Sequence, residues 1–148
     1  MQVSIRKAID KDIADIFNLV KELARYERSE DQVIATLDDY VNAFSNGTFD
    51  ALVAHAGDQV IGCALYYLTW STWRGKMYYL EDFIVAESFR GKGIGGQLFS
   101  AFLEEAKAQE CRIVKWQVLD WNEPALRFYE KHKAIIEKEW WNGKILFD

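Results

Sequence analysis

Glu81 and Asp82 are adjacent carboxylates inside an aromatic and aliphatic run, YYLEDFIV. A short loop later the chain reads SFRGKGIGGQLF, with Gly91, Gly93, Gly95 and Gly96 crowded around Lys92 and behind Arg90. A carboxylate among apolar neighbours has its pKa raised and can take a proton from an amine; it can equally hold an ammonium by charge alone, and both uses need an acid here. From Gly93 the apolar residues Ile94, Leu98, Phe99, Phe102, Leu103 and Ala106 recur every three or four positions, so the glycines open a helix running to about Gln109. Main-chain N–H groups at such a helix start, with no side chain in the way, can bind a phosphate or pyrophosphate. Gly91, Gly93 and Gly96 also satisfy G-x-G-x-x-G, the dinucleotide turn, for which Asp120 could supply the ribose acid. Against that, AESFR separates the strand from Gly91, and too little chain follows Asp120 for a second nucleotide half. No G-x-x-x-x-G-K-[ST] is present, and a flexible turn ahead of an amphipathic helix is the plain alternative.

The elements that must hold these residues follow from periodicity and turn chemistry. VSIRK alternates as a strand, and Asp10 stands as N-cap of a helix through Glu27 with Ile13, Ile16, Leu19, Val20 and Leu23 on one face. Thr36 caps a second helix that Asn46-Gly47 ends. FDALVAHA and QVIGCALYYLTW flank Gly57-Asp58 as a hairpin, and KMYYLEDFIV follows the loop STWRG. After the glycine-led helix, IVKWQVL reads as a buried strand and Pro124 as an early residue of a short helix, ALRFYEKH. AIIEKEWW and KILF read as a hairpin about Asn142-Gly143. The order implies an α/β (α+β) fold whose mixed sheet is antiparallel at the hairpins and parallel across the strand-helix-strand crossover.

At 148 residues, half of them apolar, a single domain over 1–148 is the simplest organisation. Such a chain buries roughly two thirds of its unfolded surface. The net charge of -5, with no unbalanced cluster of Lys and Arg, argues against a nucleic-acid partner. VSIRKAIDKDI is too charged for a signal peptide and no apolar run could span a bilayer, so a cytoplasmic location without a membrane partner is expected. Cys63 and Cys111 lack any C-x-x-C spacing and read as buried reduced thiols. His55 and His132 show no metal spacing, so no metal is expected.

YLEDFIV, the short loop, RGKGIGGQLF and a strand running into VLDWNEPALRFYEKHKA resemble the GNAT family of N-acetyltransferases, in order and spacing and over nearly the whole chain. Arg90, Gly93 and Gly95 match that family's [RQ]-x-x-G-x-[GA] motif, and Asn122, Ala125 and Tyr129 match its N-x-x-A/S-x-x-x-Y stretch. LARYERSEDQV, YYLTWSTWRGK and DWNEP look like the diamine and thialysine N-acetyltransferase branch. STWRG with VLDWN looks more like the thialysine N-epsilon-acetyltransferases than the spermidine/spermine enzymes. In the polyamine enzymes an acid usually stands where Ser71 stands, and Arg74 beside it disfavours a long polycation.

The resemblance implies the GNAT fold, a single mixed, largely antiparallel central sheet of six to seven strands flanked by about four helices. It implies acetyl-CoA as co-substrate. The acceptor is then the primary amine of a small amine or amino acid, thialysine- or lysine-like, acetylated by direct attack in a ternary complex. A diamine or polyamine acetyltransferase, a peptide or protein acetyltransferase, and a non-catalytic acetyl-CoA-binding module are the alternatives. On the same resemblance Arg90, Gly91, Lys92, Gly93, Ile94, Gly95 and Gly96 hold the pyrophosphate, and Phe83, Ile84 and Val85 offer main-chain groups to the pantetheine arm. Asn122, Glu123, Pro124, Ala125 and Tyr129 complete the cofactor site. Glu81 is implied as the base, directly or through water, for an alkylammonium of pKa about 10.4. Tyr129 is implied as proton donor to the departing thiolate. Tyr26, Glu27, Trp73, Glu81, Asp82 and Gln117 are implied around the amine, since carboxylates beside an aromatic face suit an ammonium. Lys133 stands where the family commonly has glycine, and the C-terminus is short; a homodimer is the family expectation.

Overall fold

The computed structural model describes residues 2–147. Ile13, Ile16, Leu19 and Val20 return to one side of a helix every three or four residues, and α1 (Ile13–Tyr26) buries all four. Its start is organised by Asp12 rather than by Asp10, the expected cap. Asp12 Oδ2 accepts Ile9 N–H at 2.8 Å and Arg6 Nη1–H at 2.6 Å, and Oδ1 accepts Arg6 Nη2–H at 3.1 Å. Asp12 is the acid that Arg6 can reach from the first strand, β1 (Ser4–Lys7), and a bidentate guanidinium pair outweighs a solvent-facing cap. α2 (Leu37–Ser45) opens as expected: Thr36 Oγ1 accepts Asp39 N–H at 3.2 Å and Asp39 Oδ2 accepts Thr36 N–H at 2.8 Å, a reciprocal capping box.

Asp50–Ala56 (β2), Gln59–Ser71 (β3) and Gly75–Val85 (β4) form a meander, the first two buried continuously over Ala51–Ala54 and Ile61–Tyr66, with β2 turning into β3 at Gly57-Asp58 and β3 into β4 at Thr72–Arg74. The glycine-led helix α3 (Ile94–Ala108) then crosses over to β5 (Ile113–Trp116), which pairs parallel with β4. The sheet order is β1-β2-β3-β4-β5, antiparallel in its first three pairs. α1 lies on one face, where Ile13, Ile16, Leu19 and Val20 pack with Ala51, Val53, Cys63, Leu65 and Ile84. α3 covers the other, with Phe102 against Tyr66 (ring centroids 5.2 Å apart) and Phe99 against Phe83 (5.7 Å).

The chain divides into two compact units, Met1–Gln117 and Val118–Asp148, and the second carries α4 (Glu123–Lys131). Among the described residues the mixed, largely antiparallel sheet and four α-helices match the expectation, but the strands number five, not six to seven. IVKWQVL pairs only as far as Trp116. AIIEKEWW and KILF form no strand, and Ile135, Trp141 and Phe147 are exposed. Gly143 lacks the left-handed backbone that a tight Asn-Gly hairpin turn needs. Turn chemistry alone does not hold two strands that have no face to bury.

Arg6 and Asp12 generate a stability prediction. Hydrogen bonding to Arg6 holds the Asp12 carboxyl below its ordinary pKa. The stability it confers is therefore complete above the unfolded carboxylate pKa of about 3.9 and is lost as pH falls through the lower folded value. Asp12→Ala should cost about 2 kcal/mol at neutral pH and flatten part of the acid limb, as read by urea unfolding at a series of pH values.

Candidate active site

Leu65 pairs with Asp82 and the next residue, Tyr66, pairs with Leu80, so Glu81 is an extra residue in β4. A bulge of this kind breaks the two-residue alternation of a strand. Leu80, opposite Tyr66, and Phe83, against Phe99, thus share the α3 face although three positions apart, while Asp82 and Ile84 face α1 opposite Leu65 and Cys63. Glu81 joins Tyr67, whose Oη–H donates to Glu81 Oε1 at 2.8 Å and whose ring stacks on Tyr79 at 5.6 Å. Burial, then the bond to Glu81, pushes the Tyr67 phenol above its ordinary pKa, which keeps it a donor.

The two acids differ. Glu81 is exposed, whereas Asp82 is half-buried and its carboxyl is pushed up to about 7, first by loss of water and then by the charges of Glu81 and Glu27. Glu27 is itself raised by burial, at the C-terminal end of α1. The next residue, Arg28, takes a left-handed backbone (φ 60°), and Ser29 N–H closes back on Ala24 O at 2.8 Å, which fixes where Glu27 leaves the helix. Tyr40 of α2 senses the same field: burial and then Asp82 push its phenol up to about 12. Glu27, Asp82 and Glu81 thus form a negative patch suited to an ammonium, and a carboxyl titrating near neutrality can exchange a proton there.

Past Leu80, which pairs with Trp116, no strand follows β4 on the β5 side among the described residues. Main-chain groups of Glu81–Val85 lie beyond the ladder to β5, and the chain runs on from Val85 through a short loop to the start of α3. There Gly91 (φ 78°) and Gly93 (φ 79°) both take left-handed backbone, and a Cβ added at either would meet nothing within 4 Å. The first turn of α3 has no side-chain cap, and its first intrahelical bond is Gln97 N–H to Gly93 O at 3.2 Å. The N–H groups of Ile94, Gly95 and Gly96 precede that bond and form a cradle for an anion. Arg90 bends back instead: Nε–H donates to Val85 O at 2.8 Å, Nη2 lies 3.7 Å from Glu22 Oε1, and the guanidinium sits 5.7 Å from the Tyr26 ring centroid. Lys92 Nζ lies 5.6 Å over the Phe89 ring.

In the second unit, Asn122 Oδ1 accepts Ala125 N–H at 3.3 Å and so caps α4, with Glu123 and Pro124 in its first turn. This bond explains the Asn-x-x-Ala spacing. Tyr129, one helical turn further on, is 6% exposed.

Residues 13–133 match the acetyltransferase (GNAT) family. The chain belongs to that family. It is 35% identical to the thialysine N-epsilon-acetyltransferase of Bos taurus, over 95% of this chain and 89% of that protein. It is 33% identical to the spermidine/spermine N(1)-acetyltransferase-like protein 1 of Homo sapiens, over 88% of this chain and 20% of that protein. In fold it is similar to an aminoglycoside acetyltransferase from an uncultured soil metagenomic sample, with a TM-score of 0.82 at 17% identity, covering 99% of this chain and 97% of that one. The protein is thus an N-acetyltransferase.

Within the first unit of this acetyltransferase, Glu81 and Glu27 both lie near enough to Asp82 to bear on its charge, and Tyr26 stands beside Arg90. Trp73 is 86% exposed at the tip of the β3–β4 hairpin, where Ser71 Oγ accepts Arg74 N–H at 3.1 Å, and Gln117 is exposed just past β5. Sequence reasoning missed Tyr67, the partner of Glu81, and Glu22, which engages Arg90 and accepts Glu87 N–H at 3.2 Å. An i, i+4 relation puts Glu22 on the Tyr26 side of α1, which was a usable signal; Tyr67 depended on the bulge.

Asp82 makes a second prediction. Its folded pKa is raised, so between about pH 4 and about pH 7 the folded state holds a proton the unfolded state has lost, and stability falls as pH rises through that window. Asp82→Asn should remove that slope and stabilise the fold at pH 8 by on the order of 3 kcal/mol, as measured by chemical denaturation.

Proposed function

We propose that the enzyme transfers an acetyl group from acetyl-CoA to the primary amine of a small thialysine- or lysine-like acceptor, by direct attack in a ternary complex. The observation that carries this reading is the bulged β4, which sets Glu81 and Asp82 side by side on the strand that runs, through a short loop, into the glycine-led start of α3. The cradle fits a pyrophosphate: it has backbone donors, left-handed glycines and room where side chains would otherwise stand. When bound, acetyl-CoA supplies the acetyl group as a thioester. Gly91–Gly96 with Lys92 would hold its phosphates, and Phe83, Ile84 and Val85 would align it through their main chain.

On the amine side, Glu81, Asp82 and Glu27 hold the ammonium, with Tyr26 adding an aromatic face. Glu81, fixed by the Tyr67 Oη–H bond, takes the proton directly or through water, and Asp82, titrating near neutrality, is placed to hold it. A thioether sulfur two carbons from the amine lowers the amine pKa, which favours thialysine over lysine. Tyr129, by its match to the family motif, holds the proton given to the departing thiolate. The same reading takes residues 1–148 as one acetyltransferase domain, working in the cytoplasm as a homodimer. A diamine acceptor is the second reading, favoured by the likeness to the spermidine/spermine-type protein.

Purified enzyme with acetyl-CoA should release free thiol with at least one of thialysine, lysine, ornithine, putrescine or spermidine. Glu81→Gln and Tyr129→Phe should each lower kcat on the order of 100-fold with unchanged thermal unfolding. Full turnover in both variants would overturn the assigned roles. CoA binding without turnover of any free amine would point to a peptide acceptor or a non-catalytic module.

A further inference from the structure

The glycines that lead into α3 have no packing of their own: Gly91 and Gly93 stand in left-handed backbone with open space where a Cβ would be. What fixes them must lie on either side. Downstream, Ile94 is buried and packs with Ala54 and Ile61. Upstream, β4 ends at Val85 and the chain makes one 3-10 turn, Glu87–Phe89, in which Phe89 N–H reaches Ala86 O at 2.9 Å and Arg90 N–H reaches Glu87 O at 3.2 Å. Phe89 packs against the same apolar group as Ile94. No side chain at Ala86 caps this turn, so the N–H of Glu87 takes an acceptor from elsewhere. Glu22 Oε1 supplies it at 3.2 Å, from α1. The same oxygen lies 3.7 Å from Arg90 Nη2 at the other end of the turn, and Arg90 Nε–H closes the loop on Val85 O at 2.8 Å. One carboxylate of α1 thus spans both ends of the turn, while Phe89 holds it through the apolar layer.

We propose that Glu22 is a positioning residue for the cofactor, an assignment that rests on the acetyl-CoA reading: by fixing the turn ahead of the glycines, it presents the main chain of residues 91–93 to the phosphates already ordered. A loop that must be ordered at the moment of binding spends part of the affinity on its own lost freedom, and a loop held beforehand does not. Glu22 touches neither the reacting atoms nor the glycines, and acts through Glu87 and Arg90. Its charge and its hydrogen bond work in opposite directions. A carboxylate near an anion site disfavours the anion, whereas the bond to Glu87 N–H favours the ordered loop. The contact with Arg90 joins two partly exposed side chains and is worth little. Glu22→Gln and Glu22→Ala remove the charge alike, but only glutamine keeps an oxygen for Glu87 N–H. The difference between the two variants therefore isolates the hydrogen bond.

Calorimetric titration of the full-length enzyme with CoA tests the affinity, and amide hydrogen exchange without ligand tests the loop. Glu22→Ala should bind CoA about tenfold more weakly than Glu22→Gln, the worth of one hydrogen bond. The amides of Phe89 and Arg90, which bond within the turn, should exchange faster in Glu22→Ala and keep wild-type protection in Glu22→Gln. Alanine and glutamine are both good helix formers, so thermal unfolding of the two variants should stay close to the wild type. In turnover Glu22→Ala should raise KM for acetyl-CoA by a similar factor and keep kcat at saturating acetyl-CoA, a split that a damaged fold does not produce. Equal CoA affinity in the two variants would overturn the proposal, wherever they stand against the wild type. Faster exchange in Glu22→Ala with no CoA bound even by the wild type would reduce Glu22 to an anchor of the loop and defeat the cofactor reading together with the proposal. CoA bound alike by all three proteins would keep the cofactor reading and overturn the proposal alone.

Discussion

The pairing of Leu65 with Asp82 and of Tyr66 with Leu80 makes β4 change faces in mid-strand. Without the extra residue, Glu81 and Phe83 would point the same way, and either an acid would enter the aromatic layer under α3 or Phe83 would leave it. With it, Leu80 and Phe83 both stay in that layer, and Glu81 and Asp82 both stand clear of it. One insertion therefore keeps the apolar layer whole and groups the two acids outside it. It is also compatible with β4 parting from β5 just beyond Leu80, since a bulged strand bends away from the neighbour it can no longer follow.

Gathering carboxylates in this way opposes folding. Asp82 loses water and lies in the field of Glu81 and Glu27, and no lysine or arginine appears among the influences on it. The expense is met elsewhere in the same sheet. The apolar layer joining α1 to Val53, Cys63 and Ile84 is fully closed, and the Arg6–Asp12 pair locks the entry to α1. The acid paired with arginine stabilises the frame, and the acids gathered about Asp82 oppose it. The opposite directions in which the carboxyls of Asp12 and Asp82 are displaced express that division.

The start of α3 follows a similar economy of contacts. Arg90 contacts Val85 O at the end of β4 together with Glu22 and Tyr26 on α1, and so ties the helix bearing Glu27 to the loop bearing Gly91 and Gly93. The helix end bearing the acid and the glycine-led helix start are thereby joined through one guanidinium. The left-handed glycines stay open, since neither has a neighbour within reach of a Cβ.

Much of this was legible in the chain because it is local. Helical periodicity located α1 and α3, the Thr36 cap announced α2 and Pro124 announced α4, and Gly57-Asp58 marked the β2–β3 hairpin. The clustered glycines and the adjacent acids also stood out, as residues that a helix start and an apolar strand do not otherwise favour. What was hidden depended on partners distant in sequence. YYLEDFIV shows two acids side by side in an apolar run, and only its register against β3 reveals that Glu81 is supernumerary and that Tyr67 is its partner. Asp10 and Asp12 are equal as caps until Arg6 chooses between them. The stretch after Lys133 carried strand-like residues and a hairpin dipeptide, yet strand formation is decided by what a strand lies against, which no window of its own sequence contains.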